Sequence, residues 1–217
     1  MQKIWKSDKL CAILALGYYV NQVIMRGEQM PDAGKEPRVE YYEKRLDGQV
    51  KYKGIIVTVR LDDAELHNGA RVKREVVEHP GGVTILPVDE AGNCYMVRQF
   101  RYPFGRMMLE APAGKLEYGE DHRACAEREL SEETGFTADE LIYLGGCCTS
   151  PGFSTEVLHI YLALGLHPGE SHPDQDEFLN VEKHSLEELS RMVMAGEIDD
   201  GKTIVAVLKA EKYLQNR

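Results

Sequence analysis

The stretch GKLEYGEDHRACAERELSEETGF spans residues 114–136 and concentrates seven acidic residues in twenty-three positions. On a helix, glutamates four residues apart repel one another by roughly a few tenths of a kcal/mol per pair. A surface helix has no need of such a density of like charge. A positive partner would offset the repulsion, and a divalent metal is the natural candidate.

The same stretch carries the signals of a helix with defined ends. Asp121 suits the N-cap, and Gly135 suits the position just after the last turn. At 3.6 residues per turn, Glu129, Glu132 and Glu133 share one face. Carboxylate oxygens suit hard cations such as Mg2+ or Mn2+. A solvated acidic helix is the alternative, since most charge runs are simply exposed.

The spacing within this stretch resembles the signature of the Nudix hydrolase family. That signature is Gly, five residues, Glu, seven residues, and then Arg-Glu-aliphatic-any-Glu-Glu-any-Gly followed by an aliphatic or aromatic residue. The fixed positions are filled by Gly114, Glu120, Arg128, Glu129, Leu130, Glu132, Glu133, Gly135 and Phe136. A match of this length is far more specific than a lone glycine motif. The resemblance implies metal-assisted attack of water on the phosphorus of a nucleoside diphosphate linked to another group.

The resemblance also implies roles for individual residues. Glu129 and Glu133 would bind the metal together with the backbone carbonyl of Ala113, and the expected cofactor is Mg2+, with Mn2+ as the alternative. Glu132 would take part in catalysis, as a direct ligand or through water. The implied supporting residues, which would fix the geometry of the ligands, are Gly114, Glu120 and Arg128.

Further segments resemble the ADP-ribose pyrophosphatase branch of the family. They are VRQFRYP at residues 97–103, LEAPAGK at 109–115 and SPGFSTE at 150–156. Pro151 lies sixteen residues after Gly135, a spacing that marks ADP-ribose hydrolysis in this family. The implied reaction cleaves ADP-ribose to AMP and ribose 5-phosphate. Another nucleoside diphosphate sugar, a dinucleotide, or a non-catalytic ADP-ribose sensor are the alternatives.

In this branch four residues outside the acidic helix have implied roles. The planar guanidinium of Arg101 can clamp a diphosphate, whereas an arbitrary arginine would form a surface ion pair. Glu110 would contact substrate or metal-associated water. Arg98 is a second candidate for substrate binding, with a purely structural strand position as its alternative. Glu156 lies on a Pro/Gly-rich loop and would act as the catalytic base.

Composition narrows the classes of partner. A chain of 217 residues can hold one sizeable domain with a smaller appendage. A net charge of −10 disfavours nucleic acid and anionic membranes, and local metals and arginines would have to capture an anionic nucleotide. Five cysteines, with Cys147 and Cys148 adjacent, do not resemble a disulfide framework. We therefore expect reduced, buried thiols in a cytoplasmic protein.

The chain divides into three expected parts. Residues 1–37 form an N-terminal extension of unclear role: an amphipathic helix, a membrane-associating segment or the product of an upstream start codon. Its apolar run is too short for stable membrane insertion. Residues 38–79 form a small antiparallel sheet unit, which the resemblance implies to be the dimerising part of a homodimer. Residues 80–217 form the Nudix hydrolase domain.

Hydrophobic periodicity predicts the elements of these parts. The early strands are expected at Glu40–Leu46, Gly54–Leu61 and Ala70–Glu78, with turns at Asp47-Gly48 and Asn68-Gly69. Later strands are expected at Val83–Val88, Cys94–Tyr102, Met107–Ala111, Leu141–Cys148 and Val157–Leu164, the first two joined as a hairpin. Helices are expected at Leu186–Ala195 and Thr203–Leu214. Mixed strands with a few helices indicate an α/β fold, and the resemblance implies a Nudix-type α/β/α sandwich with a mixed sheet.

Overall fold

The structure, a computed structural model, describes residues 41–172 and 178–217. The interpretations of residues 1–37 therefore lie outside the described residues. The strands are β1 (Glu43–Lys53), β2 (Thr58–Leu66), β3 (Arg71–Glu78), β4 (Gly82–Pro87), β5 (Asn93–Arg101), β6 (Arg106–Glu110), β7 (Ala113–Lys115), β8 (Phe136–Cys148), β9 (Val157–Pro168) and β10 (Leu179–Ser185). The helices are α1 (His122–Thr134), α2 (Leu186–Ala195) and α3 (Gly201–Gln215), and a 3-10 turn covers Tyr102–Phe104.

The strands form three sheets. One is β1-β2-β3 and another is β10-β5-β6, and both are antiparallel. The third has the order β7-β4-β9-β8 and is mixed, because β4 and β9 run parallel while the outer pairs are antiparallel. The mixed sheet expected from the sequence is therefore confirmed.

The central strands are buried on both faces. Along β9, Tyr161 and Ala163 pack with α1, whereas Ile160 and Leu162 pack with α2 and α3. The alternation follows from the two-residue period of a strand, which sends successive side chains to opposite faces. Because both faces are covered, β4 and β9 read as nearly continuous apolar runs in the sequence. The result is the predicted α/β/α sandwich, with a separate hydrophobic core on each side of the sheet.

The ends of α1 are fixed by local chemistry. The Asp121 side chain accepts hydrogen bonds from the backbone N–H groups of Arg123 and Ala124, at 3.0 and 3.2 Å. At the other end Gly135 adopts a left-handed conformation with φ of 75°, and its N–H donates to Ser131. A Cβ there would also lie 2.8 Å from the carbonyl oxygen of Gly169, so glycine is required. The predicted helix boundaries are confirmed.

One predicted turn is wrong. Asp47-Gly48 does not connect two strands but lies inside β1, where Gly48 faces Asp62 of β2. A side chain at Gly48 would overlap the Asp62 carboxylate, so this glycine leaves room for that carboxylate against β1. The chain instead reverses after Gly54, whose N–H donates to the carbonyl of Val57 at 2.9 Å. The turn at Asn68-Gly69 is confirmed.

The predicted hairpin at residues 83–102 is right in its turn and wrong in its pairing. The loop closes through the Asp89 N–H, which donates to the Asn93 carbonyl at 2.8 Å. Beyond it, only the single bridge between Val88 and Cys94 joins the two segments. β4 then enters the mixed sheet and β5 the sheet with β6 and β10, because each is needed in a different layer.

The first sheet is tied to the loop before β9. Val77 of β3 forms a bridge with Ser154, and its N–H and carbonyl bond Phe153 and Thr155 at 2.7 and 3.0 Å. Residues 43–217 accordingly form one compact unit. The division at residues 79 and 80 stays a prediction. Among the described residues, no helix combines the length and apolar character that a membrane span requires.

The cysteines only partly match expectation. Cys94 and Cys125 are buried thiols, but Cys147 is half-buried and Cys148 is exposed. Burial raises the pKa of both buried thiols to about 12, so they stay protonated and act as small apolar side chains. The expectation of buried thiols is therefore wrong for Cys148, which lies at the end of an edge strand.

Candidate active site

Two carboxylates of α1 are buried against the chain at β7. Glu129 is 8% exposed and Glu133 is 1% exposed. The backbone N–H of Ala113 donates to Glu133 Oε2 at 3.0 Å. The segment itself is held to β4, because the carbonyl of Pro112 accepts from the Ile85 N–H at 2.8 Å. The helix face predicted from the sequence therefore points at the loop predicted to share the metal.

Gly114 is required by the close approach of α1. A Cβ at this position would overlap the carboxylate of Glu129. A side chain at residue 114 would force the Glu129 carboxylate out of its position beside the loop. The glycine thus positions a carboxylate rather than relieving backbone strain.

Arg128 connects the acidic side chains of this region. Its guanidinium bonds Glu120 at 3.1 and 3.3 Å, Glu129 at 2.7 Å and Glu132 at 2.9 Å. The carboxylates, Glu120 foremost, raise the pKa of Arg128, which stays charged. One cation thus offsets the repulsion among three carboxylates and anchors the loop before α1 through Glu120. The contacts agree with a supporting role for Glu120 and Arg128.

A second charged group lies at the end of β6. Glu110 is 1% exposed, and its two oxygens accept from Arg101 Nε and Nη2 at 2.7 and 2.6 Å. The ammonium of Lys202 also contacts Glu110 Oε2 and donates to Asp200 Oδ2 at 2.9 Å. A buried carboxylate needs such partners, because an unpaired charge is expensive to remove from water. Glu110 raises the pKa of Arg101, as do Asp200 and Glu133 more weakly.

The N-terminus of α3 fixes this group. Asp200 is the N-cap and accepts from the Thr203 N–H at 3.0 Å. Thr203 is fully buried, and its hydroxyl accepts from the backbone N–H of Ala111 at 2.8 Å. Residues 110–113 are thus held between α3 on one side and α1 on the other.

Glu156 lies on the loop before β9 and is held by neighbouring polar groups. The Thr149 hydroxyl donates to Glu156 Oε2 at 2.6 Å, and the Glu156 N–H donates to Ser154 Oγ at 3.1 Å. His79 Nδ1 lies 3.4 Å from Glu156 Oε1 but accepts from the Gly81 N–H at 3.1 Å. One nitrogen cannot both accept and donate, and the shorter contact makes Nδ1 an acceptor. Thr149 is therefore the side chain that orients the Glu156 carboxylate.

The sheet brings the Glu156 loop and the 113–115 segment to one edge. Gly82, at the start of β4, pairs with Lys115 of β7 on one side and with Leu158 of β9 on the other. The two segments are therefore separated by a single strand, or about 10 Å between their backbones.

Arg98 forms its ion pair with a different strand, β10. Its guanidinium forms a paired contact with Glu182 of β10, at 2.5 and 3.0 Å. This ion pair favours the structural alternative considered for Arg98, and its role in substrate binding stays a prediction.

The sequence did not point to Lys202 and Thr149, because a lone lysine or threonine far from a motif carries no local signal.

The donor set fits a hard divalent cation. Glu129 and Glu133 offer carboxylate oxygens beside the backbone of Ala113, and oxygen is the ligand that such cations prefer. Within the described ranges 41–172 and 178–217, no three acidic, histidine or cysteine side chains already surround a common point. Mg2+ commonly takes one or two carboxylates and completes its shell with waters and substrate phosphates, so two converging carboxylates suffice.

Replacing Glu120 with Gln should destabilise the protein in a pH-dependent way. The hydrogen bond from Arg128 lowers the pKa of Glu120 below its ordinary value of 4.5. The ion pair therefore stabilises the fold above that pH, and its contribution is lost as the pH falls through the lowered folded-state pKa. Urea unfolding midpoints of wild type and Glu120→Gln should differ at pH 7, and the difference should be smaller at pH 3, which lies below the ordinary pKa of 4.5.

The exposed pair of Glu127 and Arg123 on the same helix provides the control. Its side chains are each 56% exposed, so Glu127→Gln should change the midpoint little at either pH. An equal loss for Glu120→Gln at both pH values would contradict the ion-pair explanation.

Comparisons with known proteins agree with this geometry. Residues 78–207 match the sequence profile of the NUDIX domain. The methanol dehydrogenase activator of Bacillus methanolicus is 40% identical over 177 residues, 81% of this chain and 94% of that protein. The ADP-ribose pyrophosphatase of Bacillus subtilis strain 168 is 41% identical over 175 residues, 80% of this chain and 92% of that protein.

A solved structure shows the same fold. The crystal structure of an ADP compounds hydrolase superposes with a TM-score of 0.71, covering 80% of this chain and 95% of that one at 22% identity. The profile match, the two relatives and the shared fold together show that this chain belongs to the Nudix hydrolase family.

Proposed function

We propose that this protein hydrolyses the diphosphate of ADP-ribose to AMP and ribose 5-phosphate, with Mg2+ as the cofactor. The observation that carries the proposal is the burial of Glu129 and Glu133 against Ala113 and Gly114. Glu133 also lies close enough to interact with the positive charge of Arg101. The relative named ADP-ribose pyrophosphatase supports the choice of substrate. Every acidic position of the family signature is filled by glutamate, which disfavours a non-catalytic sensor.

The residues of the site divide the chemistry between them. Glu129, Glu133 and the carbonyl of Ala113 would hold the metal, with Glu132 directly bound or bound through water. When bound, the metal supplies positive charge that stabilises the diphosphate as its bond to the leaving group breaks. Arg128 keeps Glu129 and Glu132 oriented, and Glu120 fixes Arg128 to the loop.

Glu156 would remove the proton from the attacking water. The water oxygen forms a new bond to one phosphorus, the bridging P–O bond breaks, and the two products leave as phosphate monoesters. The Glu156 side chain is 28% exposed, its Oε2 is held by Thr149, and its Oε1 lies beside His79 without accepting a hydrogen bond from Nδ1. Arg101 would hold the diphosphate in place during the attack, with its guanidinium oriented by Glu110.

The quaternary structure and location are also part of the proposal. β1 is exposed along almost its whole length, and the turn after it leaves Ile55 fully exposed. Leu46, Val50 and Tyr52 on β1 are exposed as well. Apolar side chains on an open strand favour association, so the first sheet suits the interface of a homodimer.

The exposed thiol of Cys148 is compatible with a reducing, cytoplasmic environment.

Another diphosphate substrate is the competing function. Two relatives of nearly equal identity carry different names, one for a pyrophosphatase and one for an activator of a dehydrogenase. The residues around the diphosphate would serve any nucleotide joined through such a linkage. A nucleoside diphosphate sugar with another base, or a dinucleotide, therefore stays the alternative.

A substrate panel tests the proposal. ADP-ribose, GDP-mannose and NAD+ are compared at equal concentration with Mg2+, with Mn2+ and with chelator, and products are resolved by chromatography. We expect ADP-ribose to be hydrolysed with a kcat/KM at least about tenfold above the others, and chelator to abolish turnover. Good turnover of another substrate without turnover of ADP-ribose would refute the specificity.

Substitution of the proposed metal ligands should abolish turnover without unfolding the chain. Glu129→Gln and Glu133→Gln keep the shape of the side chain but weaken its bond to a hard cation, so kcat should fall about 100-fold or more. Glu127→Gln on the same helix is the matched control and should keep the wild-type rate. Circular dichroism checks the fold, and full activity in both variants would show that the ligands lie elsewhere.

Removal of the proposed base should affect rate more than affinity. Glu156→Gln keeps the bond from Thr149 but cannot accept a proton, so kcat should fall about 100-fold while KM changes little. Glu170→Gln, in the exposed loop after β9, is the control, and an unchanged kcat for Glu156→Gln would exclude the assigned role.

A further inference from the structure

Lys202 occupies an unfavourable position for a lysine. It is the second residue of α3 after the N-cap Asp200, and the N-terminus of a helix carries partial positive charge. Its side chain is only 11% exposed, so most of it is removed from water. Burial and the helix dipole both oppose a cation here. Its carboxylate partners must therefore compensate for this unfavourable position.

The partner of Lys202 is the carboxylate that also holds Arg101. Glu110 Oε1 accepts from Arg101 Nε, and Glu110 Oε2 accepts from both Arg101 Nη2 and Lys202 Nζ. Glu110 is 1% exposed and cannot turn to water for other partners. The two cations thus hold one rigid carboxylate from different sides.

Arg101 retains a free edge in this arrangement. A guanidinium has five N–H donors, and two of them bond Glu110, which leaves three. Two of these, one on Nη1 and the outer one on Nη2, are parallel and form a planar fork of the kind that binds phosphate in bidentate fashion. The Arg101 side chain is 38% exposed, so part of it is accessible to a ligand.

The charge balance of the group depends on Lys202. Arg101, Glu110 and Asp200 alone carry one net negative charge, and Glu133 lies close enough to influence Arg101. A diphosphate would be repelled by such a group. Lys202 makes the group of four neutral. Its ammonium also neutralises part of the negative charge of Glu110, which Arg101 would otherwise have to neutralise alone.

We propose that Lys202 is a positioning residue for the diphosphate: it holds Glu110 so that Arg101 presents its outer N–H edge to the substrate. This inference rests on the proposed function and deepens it. Lys202 acts through Glu110 and Arg101 and does not contact the ligand itself. Its loss should therefore weaken ground-state binding and leave the chemical step nearly unchanged, which separates it from a residue that merely stabilises the fold.

A double-mutant cycle on binding tests this coupling. ADP, which carries the diphosphate, is titrated calorimetrically in chelator into full-length wild type, Lys202→Met, Arg101→Met and the double variant. We expect each single variant to weaken affinity about tenfold or more, as for loss of a charged hydrogen bond. The double variant should bind no more weakly than Arg101→Met alone.

Additive losses in the cycle would overturn the proposal, because Lys202 would then act on the ligand independently of Arg101. Unchanged affinity in Lys202→Met would overturn it as well. Lys212→Met makes the same change at an exposed site in the last turn of α3 and should keep affinity within about twofold. Lys202→Arg, which keeps the charge, should recover most of the loss.

Two further measurements keep the outcome interpretable. Thermal unfolding of each variant shows whether it is folded at the titration temperature. If Lys202→Met is not, Lys202→Gln takes its place, since its amide still donates to Glu110 without the charge. With ADP-ribose as substrate, KM should rise while kcat stays within about twofold. A coupled binding cycle without turnover of ADP-ribose would refute the proposed substrate and leave the role of Lys202 intact.

Discussion

The parallel pairing of β4 with β9 is the constraint on which the other features depend. Both strands are apolar on both faces, and a sheet of that kind is stable only when each face is covered. Helix α1 covers one face and α3 the other. Covering the faces brings Glu129 and Glu133 to the segment Ala113–Lys115 from one side, and Lys202 and Thr203 to the end of β6 from the other. Packing of the core therefore assembles the charged groups of the site.

The site reconciles an acidic protein with an anionic ligand through short-range charge pairing. The net charge of −10 acts over long distances and is screened by salt. Inside the partly buried site, charges a few ångströms apart interact far more strongly. Arg128 is placed among the acidic side chains of α1, and Arg101 and Lys202 share Glu110. Under the proposed function, binding would depend on the arrangement of a few cations and not on the overall charge.

Local sequence signals predicted the helices well because their causes are local. Asp121 and Gly135 bound α1 through hydrogen bonds and backbone conformation within a few residues. The same reasoning failed at Asp47-Gly48, where glycine is needed by the facing strand and not by a turn. It also failed to predict that the strands before and after the Asp89–Asn93 turn, β4 and β5, enter different sheets. Strand pairing is decided by distant partners, so sequence periodicity cannot assign it.

The sequence by itself determined the family and the acidic face of α1, because a fixed spacing on a helix is a local geometric fact. Only the tertiary structure decided which charges meet. It placed Lys202 against Glu110, which lies 92 residues earlier in the chain, and gave Glu156 the hydroxyl of Thr149. It also paired Arg98 with Glu182. Such contacts depend on how helices pack on a sheet, and a single lysine or threonine carries no trace of its partner in the sequence around it.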